Sequence, residues 1–273
     1  MPNQSKAYID TTILVDALLN SGDRRRQATA ALASFAVTEL PVYAIKEFKA
    51  GALANYAWTH NVLVSTKSFQ KTLQQLQRMA LTPRKYRTAT AIQALQTAAI
   101  GIGRQTNEGL AKKYGAKATL DSMQYDEFRL SIKRKIFTAW RRRRSVTTHV
   151  VHPLSCYTEI SPFEERDLIV VRPTACETAN CCMVPELTLD KSALEKLKKA
   201  CDEQEQRPEI GRRSRALRHL IRTPKRPFGE DLCRNLGDAV FAFFCPRDAT
   251  LLTTNTRDHS ALAKPLKKNI STP

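Results

Sequence analysis

The order of short apolar segments and amphipathic segments predicts an α/β fold with a parallel central sheet. A strand, a helix, a second strand and a second helix follow one another near the start of the chain, and the same alternation returns near its end. Strands that alternate with helices typically form a parallel sheet covered by helices. The long basic segment between the two ends indicates a separate role for the middle of the chain.

The first sixty residues contain the first four predicted elements. Strands are predicted over residues 7–15 and 35–38, and helices over residues 23–35 and 42–58. The first strand is apolar and β-branched but carries one acid, Asp10, which is costly to bury unless another group pairs with it. The helix that follows Pro41 carries Glu47 outside its apolar stripe.

The rest of the chain is predicted to be mainly helical until a last strand. Helices are predicted over residues 66–82, 84–100, 122–143, 192–204, 212–222 and 232–244, and strands over residues 167–173 and 249–254. Residues 145–165 show no regular pattern. The predicted α/β domain therefore comprises residues 1–60 and 228–273, with the strand over 167–173 added to its sheet. Residues 61–165 and 174–227 form the remaining, basic and mainly helical part of the chain.

The net charge of +18 is concentrated in the middle of the chain. Residues 61–150 contain 18 Lys and Arg against four acids, whereas residues 1–60 contain six against five. Such a basic segment indicates a polyanionic partner, with nucleic acid ahead of an acidic protein. No apolar run is long enough for a membrane span, the first residues lack a secretion signal, and seven cysteines suit a reducing compartment. A cytoplasmic protein is expected.

Four acids are placed where a site would form in this fold. Asp10 lies in the first strand, Glu47 in the helix after the second strand, Asp238 near the start of a helix, and Asp258 just after the last strand. In such sheets, sites gather at the carboxyl ends of the strands. Clustered carboxylates repel one another, and a hard divalent cation such as Mg²⁺ relieves that repulsion. Each acid could also be a helix cap or a solvated side chain.

Three motifs in the same order resemble those of the PIN-domain nucleases. They are YIDTTILVDALL, VYAIKEFKAG and LGDAVFAFFCPRDATLLTTNTRDHSAL, which lie within residues 5–60 and 228–268. The resemblance implies an α/β/α sandwich with a parallel sheet, acids that bind Mg²⁺ or Mn²⁺, and hydrolysis of single-stranded nucleic acid, usually RNA. It also implies that residues 61–165 and 174–227, which exceed what the family's minimal sandwich needs, form a basic, mainly helical insertion. By position, Asp10, Glu47 and Asp238 match the three central acids, which are the predicted metal ligands and catalytic residues.

At the fourth acidic position of the family, this chain departs from the usual pattern. Many members have Asp where this chain has Thr256, so Asn255 or Asp258 could serve instead. Asp258 is included among the predicted catalytic residues. Hydroxyl and amide groups are expected to support them by positioning a water or a metal ligand, and the predicted supporting residues are Thr11, Thr12, Thr254 and Asn255.

Basic residues of the predicted insertion are expected to bind the phosphate backbone. The predicted contacts are Arg129, Lys133, Arg134, Arg141, Arg142, Arg143, Arg144, Arg212, Arg213, Arg215 and Arg218. Trp140, Tyr86 and Tyr114 are candidates for stacking on bases. A solvated helix face and a docking site for an acidic protein are the alternatives. The residues His149, His152, Cys156, Cys176, Cys181 and Cys182 suggest a zinc site, against which buried reduced cysteines are the simpler account.

These observations predict a metal-dependent endoribonuclease that acts on single-stranded or structured RNA. A toxin or a defence-system effector fits this activity, with an acidic antitoxin or another subunit of a defence system as partner, and a homodimer is also open. The alternatives are a non-catalytic nucleic-acid-binding or scaffold protein with a degenerate cleft, and a DNA nuclease.

Overall fold

A computed structural model gives the structure of the protein and describes residues 5–80, 85–102, 107–115, 118–172, 182–204, 207–223 and 229–273. Its strands are β1 (Lys6–Ile9), β2 (Val37–Pro41), β3 (His149–Val151), β4 (Phe163–Glu165), β5 (Leu168–Val170), β6 (Thr250–Leu252) and β7 (Asn269–Ser271).

The helices are α1 (Thr11–Leu18), α2 (Gly22–Ala33), α3 (Val42–Phe48), α4 (Ala54–Thr66), α5 (Phe69–Ala80), α6 (Lys85–Ile102), α7 (Asn107–Tyr114), α8 (Leu120–Arg142), α9 (Met183–Thr188), α10 (Lys191–Asp202), α11 (Pro208–Arg222), α12 (Gly229–Leu236), α13 (Asp238–Phe244) and α14 (Thr256–Ala263). A π-helical segment, Lys49–Leu53, joins α3 to α4, and a 3₁₀ turn, Lys264–Leu266, follows α14.

The central sheet has five parallel strands in the order β3-β2-β1-β6-β7. Helices flank it, so the predicted α/β class with a parallel sheet is confirmed. The chain fills the sheet outward from β1 on one side, then returns to place β6 on the other side of β1. Ligand sites in such sheets lie outside the carboxyl ends of the strands where this reversal occurs. Here the reversal lies between β1 and β6.

The middle strand β1 is enclosed on both faces. Ala7, Tyr8 and Ile9 are at most 1% exposed, as expected for a parallel strand with helices on both sides. The paired residues Ile9 and Leu252 end β1 and β6 at the same edge. Asp10 and Thr253 therefore leave the sheet side by side.

The strand predicted over residues 167–173 does not join the central sheet. It forms as β5, which pairs antiparallel with β4 in a separate two-stranded sheet. The backbone of Ile169 in β5 is satisfied instead by the Asn61 side chain, whose Nδ2 donates to the Ile169 carbonyl at 3.0 Å and whose Oδ1 accepts from the Ile169 N–H at 2.8 Å. The third strand of the central sheet is β3, in the segment predicted to be irregular.

The helices of the predicted insertion share one apolar core with the sheet. Phe128, Ile132, Ile136 and Trp140 lie along α8 at four-residue spacing and are buried in that core, as the sequence predicts. The helix predicted over 42–58 is instead divided by the π-helical segment. The helix predicted over 232–244 is divided into α12 and α13 at Gly237. The separation of the chain into two domains stays a prediction. Within the described ranges, no helix combines the length and apolarity that a membrane crossing requires.

Candidate active site

Three of the predicted acids line one cleft at the carboxyl edge of the sheet. Asp10 follows β1, Glu47 lies in α3, and Asp238 is the first residue of α13. The cleft has a volume of about 370 Å³ and is also lined by Thr11 and Thr12. Residues that are far apart in sequence therefore meet where the strand order reverses, as the α/β prediction requires.

Asp10 is held by hydroxyl groups and a histidine. The residue is 2% exposed, and its Oδ2 accepts hydrogen bonds from Thr12 Oγ1 and Thr253 Oγ1, each at 2.7 Å. Asp10 stands at the N-cap position of α1 but makes no capping hydrogen bond. Burial alone would raise the pKa of Asp10, but His259 and the two hydroxyls outweigh it and the pKa is lowered. Asp10 is therefore ionised at neutral pH.

Glu47 is the acid whose protonation is most disturbed. Burial and the neighbouring charge of Asp238 raise its pKa to about 7, with a further contribution from Asp10. The Thr11 hydroxyl, which donates to Glu47 Oε2 at 2.8 Å, opposes that rise. The position of Glu47 therefore favours a bound proton or a bound cation.

Asp238 is fixed at the start of α13 by an arginine from another helix. Arg213 of α11 donates from Nη2 to Asp238 Oδ2 at 2.6 Å. The N-cap residue is Gly237, with φ of 46° and ψ of −123°, a backbone conformation that glycine tolerates far better than other residues. Burial raises the pKa of Asp238, and Arg213 and His259 offset only part of that rise.

His259 lies between two of the acids and was not singled out in the sequence. Its ring is fully buried, with Nε2 3.3 Å from Asp10 Oδ2 and 3.5 Å from Asp238 Oδ1. Burial lowers the pKa of His259, but Asp10 and Asp238 outweigh it and the pKa is raised. The only sequence signal for His259 was its position in the closing motif, one residue after Asp258.

Only some of the predicted supporting residues contact the acids of the cleft. Thr11 and Thr12 contact the carboxylates as described above, but Thr253 rather than Thr254 supplies the second hydroxyl to Asp10. Thr254 is exposed and contributes its backbone N–H, which donates to Thr12 Oγ1 at 3.1 Å. The Asn255 side chain donates to Asp258 at 3.2 Å.

The fourth predicted acid, Asp258, is outside the cleft. Its carboxylate pairs with Arg207 at 2.7 Å, and Asp258 is absent from the residues that line the cleft. Arg207 is the N-cap residue of α11, and Arg213 lies further along the same helix. One basic helix therefore holds two of the four predicted acids.

No family model, no curated protein and no solved structure matches the chain. The site is therefore interpreted from its own geometry and chemistry.

The donor set of the cleft suits a hard divalent cation. Asp10, Glu47 and Asp238 offer carboxylate oxygens, which Mg²⁺ and Mn²⁺ prefer. The raised pKa of Glu47 reflects first its burial and then the repulsion from Asp238 and Asp10, and a bound cation would offset both. As the side chains stand, no three His, Cys, Asp or Glu residues in the described ranges form a ready metal-binding group. Asp10 and Asp238 instead contact His259 and Arg213.

The predicted nucleic-acid contacts fall into two groups. Arg134, Arg141, Arg142, Arg212 and Arg215 are exposed. The others are engaged with acids, in the pairs Arg129–Asp126, Lys133–Glu164, Arg143–Glu159, Arg144–Glu159, Arg213–Asp238 and Arg218–Asp202. Arg213 is only 7% exposed and is paired with Asp238, so its guanidinium is not presented to solvent for a phosphate contact. Exposed arginines on α8 and α11 remain candidates.

Two further sequence predictions meet the structure only in part. Trp140 is buried under the guanidinium of Arg143 and cannot stack on a base. The Tyr86 side chain lies outside the described residues, as do Cys176 and Cys181 of the suggested zinc site. His152 packs between the rings of Tyr8 and Phe244.

Glu47 should make the stability of the metal-free protein depend on pH. The unfolded chain releases this proton near its ordinary pKa of 4.5, whereas the folded protein keeps it up to about pH 7. The contribution of Glu47 to stability is therefore complete below pH 4.5 and is lost as the pH rises through 7. We expect wild type to lose stability relative to Glu47→Gln over this range, measured by urea unfolding in EDTA. If the free energy of unfolding changed with pH in the same way for wild type and Glu47→Gln, the raised pKa of Glu47 would be contradicted. Glu209→Gln, at an exposed position, is the control and should follow the wild-type pH dependence.

Proposed function

We propose that the protein is a metal-dependent nuclease of the PIN type that hydrolyses phosphodiester bonds in single-stranded or structured RNA. The observation that carries this proposal is the meeting of Asp10, Glu47 and Asp238 in one cleft at the carboxyl edge of a parallel sheet. The same three acids are the ones that the motif resemblance selects. A PIN-like sandwich is the finer description of the fold that this proposal implies.

The residues of the cleft have distinct parts in the proposed reaction. Asp10, Glu47 and Asp238 would hold Mg²⁺ or Mn²⁺. A divalent cation bound there supplies Lewis acidity and lowers the pKa of a bound water. Thr12 and Thr253 keep the Asp10 carboxylate oriented and ionised, and Thr11 orients that of Glu47.

Positive charge at the cleft would receive the phosphate. Lys46 and Arg234 line the cleft together with the acids, and Arg234 is exposed. The negative carboxylates repel an approaching phosphodiester. The positive charges of Lys46 and Arg234 attract it and offset part of that repulsion. They were not among the residues predicted from the sequence.

The experiment that tests the proposal compares substrates and metals side by side. The purified protein is incubated with single-stranded RNA, single-stranded DNA and duplexes of one sequence, with Mg²⁺, with Mn²⁺ or with EDTA. We expect RNA to be cut with either metal and left intact in EDTA. Faster cutting of DNA would favour the DNA nuclease, and intact RNA under all conditions would contradict the proposal.

The exposed arginines of α8 give the proposal a second readout. Arg141 and Arg142 end α8 in solvent. Each phosphate contact on a single strand contributes about 0.7 to the slope of log affinity against log salt. We expect Arg141→Ala/Arg142→Ala to weaken RNA binding and to flatten the slope by about 1.4, measured by anisotropy in EDTA. An unchanged slope would mean that RNA does not contact Arg141 and Arg142. The control is Lys191→Ala, at an exposed position on α10, which should leave the slope unchanged.

One observation favours a second candidate, a non-catalytic nucleic-acid-binding or scaffold protein. Arg213 and His259 already neutralise part of the charge on Asp10 and Asp238, and Thr256 stands where many PIN nucleases have an acid. Salt-sensitive RNA binding without any cleavage in Mn²⁺ would select this candidate. An acidic antitoxin, another defence-system subunit and a homodimer all stay predictions about partners.

A further inference from the structure

A polar groove extends from the carboxylate cleft along α1. A hollow of about 460 Å³ adjoins the cleft and shares Thr11, Thr12 and Val15 with its lining. A second hollow of about 360 Å³ continues from the first and shares Asn20, Arg24 and Gln93 with it. The two hollows form one groove along α1, α2 and α6, which at its cleft end is also lined by Thr254, Thr272 and Pro273.

Most of the residues that line this groove are uncharged and polar. Asn20, Gln27, Gln93 and Gln96 supply amides, and the hydroxyl-bearing residues are Thr11, Thr12, Ser21, Thr97, Thr254 and Thr272. The charged residues among the lining are Asp16 and Arg24, and Arg24 is exposed at the rim. A phosphate backbone alone would call for clustered cations. Amides are instead the groups that read the edges of bases.

A buried acid fixes the direction in which these amides point. Asp16 and Asn20 are 7% and 3% exposed. Asn20 Nδ2 donates to Asp16 Oδ1, and Gln93 Nε2 donates to Asn20 Oδ1 at 2.8 Å. Asp16 Oδ1 accepts the hydrogen bond in this pair, so Asn20 turns its NH₂ to Asp16 and its carbonyl to Gln93. Gln93 must in turn present its NH₂ to Asn20.

This relay leaves Gln93 with one defined acceptor and one defined donor. Its carbonyl oxygen and its second N–H take no part in the relay, and the side chain lines both hollows. A single amide in that state can pair with the adjacent donor and acceptor that every unpaired base offers. Adenine N6 and N7 are the pair that Asn and Gln commonly bind, so adenine is the base expected here. Unpaired bases can enter such a groove because they are free to leave the stack.

We propose that this groove binds one unpaired base, adenine, of a strand whose phosphate lies in the carboxylate cleft. Gln93 reads the base, Asp16 and Asn20 position Gln93, and Arg24 lies against the strand at the rim. The inference rests on the proposed function for the identity of the strand, since the cleft that the groove joins is the proposed cleavage site. It adds a preference for sequence, which the backbone contacts alone do not supply.

Binding measured without cleavage tests the subsite separately from the nuclease activity. Labelled RNA pentamers of uridine, with A, C, G or U at the centre, are titrated with full-length protein in EDTA and followed by anisotropy. We expect the pentamer with adenine to bind about tenfold more tightly than the others. Gln93→Leu should remove that difference, whereas the same change at exposed Gln75 on α5 should retain it. Thermal unfolding checks that both variants are folded.

The outcomes separate the possible errors. Equal affinity of the wild type for all four pentamers overturns the subsite, whether or not any variant folds. A preference that persists in folded Gln93→Leu also overturns it. If the wild type prefers another base and Gln93→Leu removes that preference, the groove is confirmed as a base-binding site but adenine is not its base. If free AMP binds as tightly as the pentamer, the proposal that the groove binds a base within a strand is overturned, and the occupant is a free nucleotide. Discrimination without cleavage in Mn²⁺ leaves the subsite standing and rejects only the nuclease.

Discussion

Asp10→Asn is expected to reduce metal-dependent cleavage of RNA by roughly 10²–10³-fold, which corresponds to about 3–4 kcal/mol of lost transition-state stabilisation. Asp10 emerges from the middle strand of the sheet and is nearly fully buried at the cleft. Asparagine keeps the size of the side chain but removes the charge that a cation needs. The measurement is the initial rate of cleavage in Mg²⁺ and in Mn²⁺, at saturating protein and a fixed RNA concentration.

The control for Asp10→Asn is the same substitution on the surface. Asp248 is 68% exposed in its side chain and lies outside the cleft, so Asp248→Asn should cleave at the wild-type rate. Because Asp10 also accepts two hydroxyl hydrogen bonds, urea unfolding of both variants must show that the protein is folded under the assay conditions. A folded Asp10→Asn protein that cuts as fast as wild type would remove Asp10 from the proposed mechanism.

Arg213→Met is expected to lower the free energy of unfolding of the metal-free protein by about 3 kcal/mol. Breaking a buried ion pair by removing one partner leaves the other charge uncompensated, and such changes typically cost 3–5 kcal/mol. The lower end applies here, because the Asp238 side chain retains 19% exposure and still lies near His259. Methionine preserves most of the apolar stem of Arg213 within α11. Urea unfolding in EDTA at pH 7 measures the effect.

The adjacent residue supplies a matched control for Arg213→Met. Arg212 is exposed on the same helix, so Arg212→Met should change stability by less than about 0.5 kcal/mol. Adding Mn²⁺ makes the experiment informative about the cleft. If Asp238 is a metal ligand, the cation should stabilise Arg213→Met more than wild type, because the freed carboxylate becomes available to it. Equal stabilisation by Mn²⁺ would argue against Asp238 as a ligand.

The sequence could predict the parts of the fold and site that depend on local pattern. The apolar stretch over residues 7–15 indicated β1 and Asp10, although the strand ends at Ile9 and helix α1 begins at Thr11. The four-residue spacing of Phe128, Ile132, Ile136 and Trp140 indicated α8. The alternation of strands and helices indicated a parallel sheet. Each of these signals lies within a short stretch of sequence, so it can be recognised without knowledge of the tertiary contacts. The three acids that reached the cleft each belong to such a local pattern.

The remaining features depend on contacts between distant residues. Nothing local distinguishes Thr253 from Thr254, and their roles differ only because Thr253 leaves β6 beside Asp10. Arg213 belongs to a basic run whose composition indicates a solvated surface, yet that one side chain turns inward to Asp238. The strand β3 has only three residues and gains its place from pairing with β2. Such outcomes are decided by tertiary neighbours rather than by propensity.

The pairing of β1 with β6 also determines when the site can exist during synthesis of the chain. Ala7 pairs with Thr250, and Asp10 depends on Thr253 and His259 from the same late segment. Contacts between residues so distant in sequence form slowly, because a long loop must close first. A nascent chain exposes Asp10 long before its partners leave the ribosome. The cleft can therefore assemble only after β6 and His259 have been synthesised, and a nascent chain that stops before β6 carries Asp10, Glu47 and Asp238 without the geometry of the proposed site.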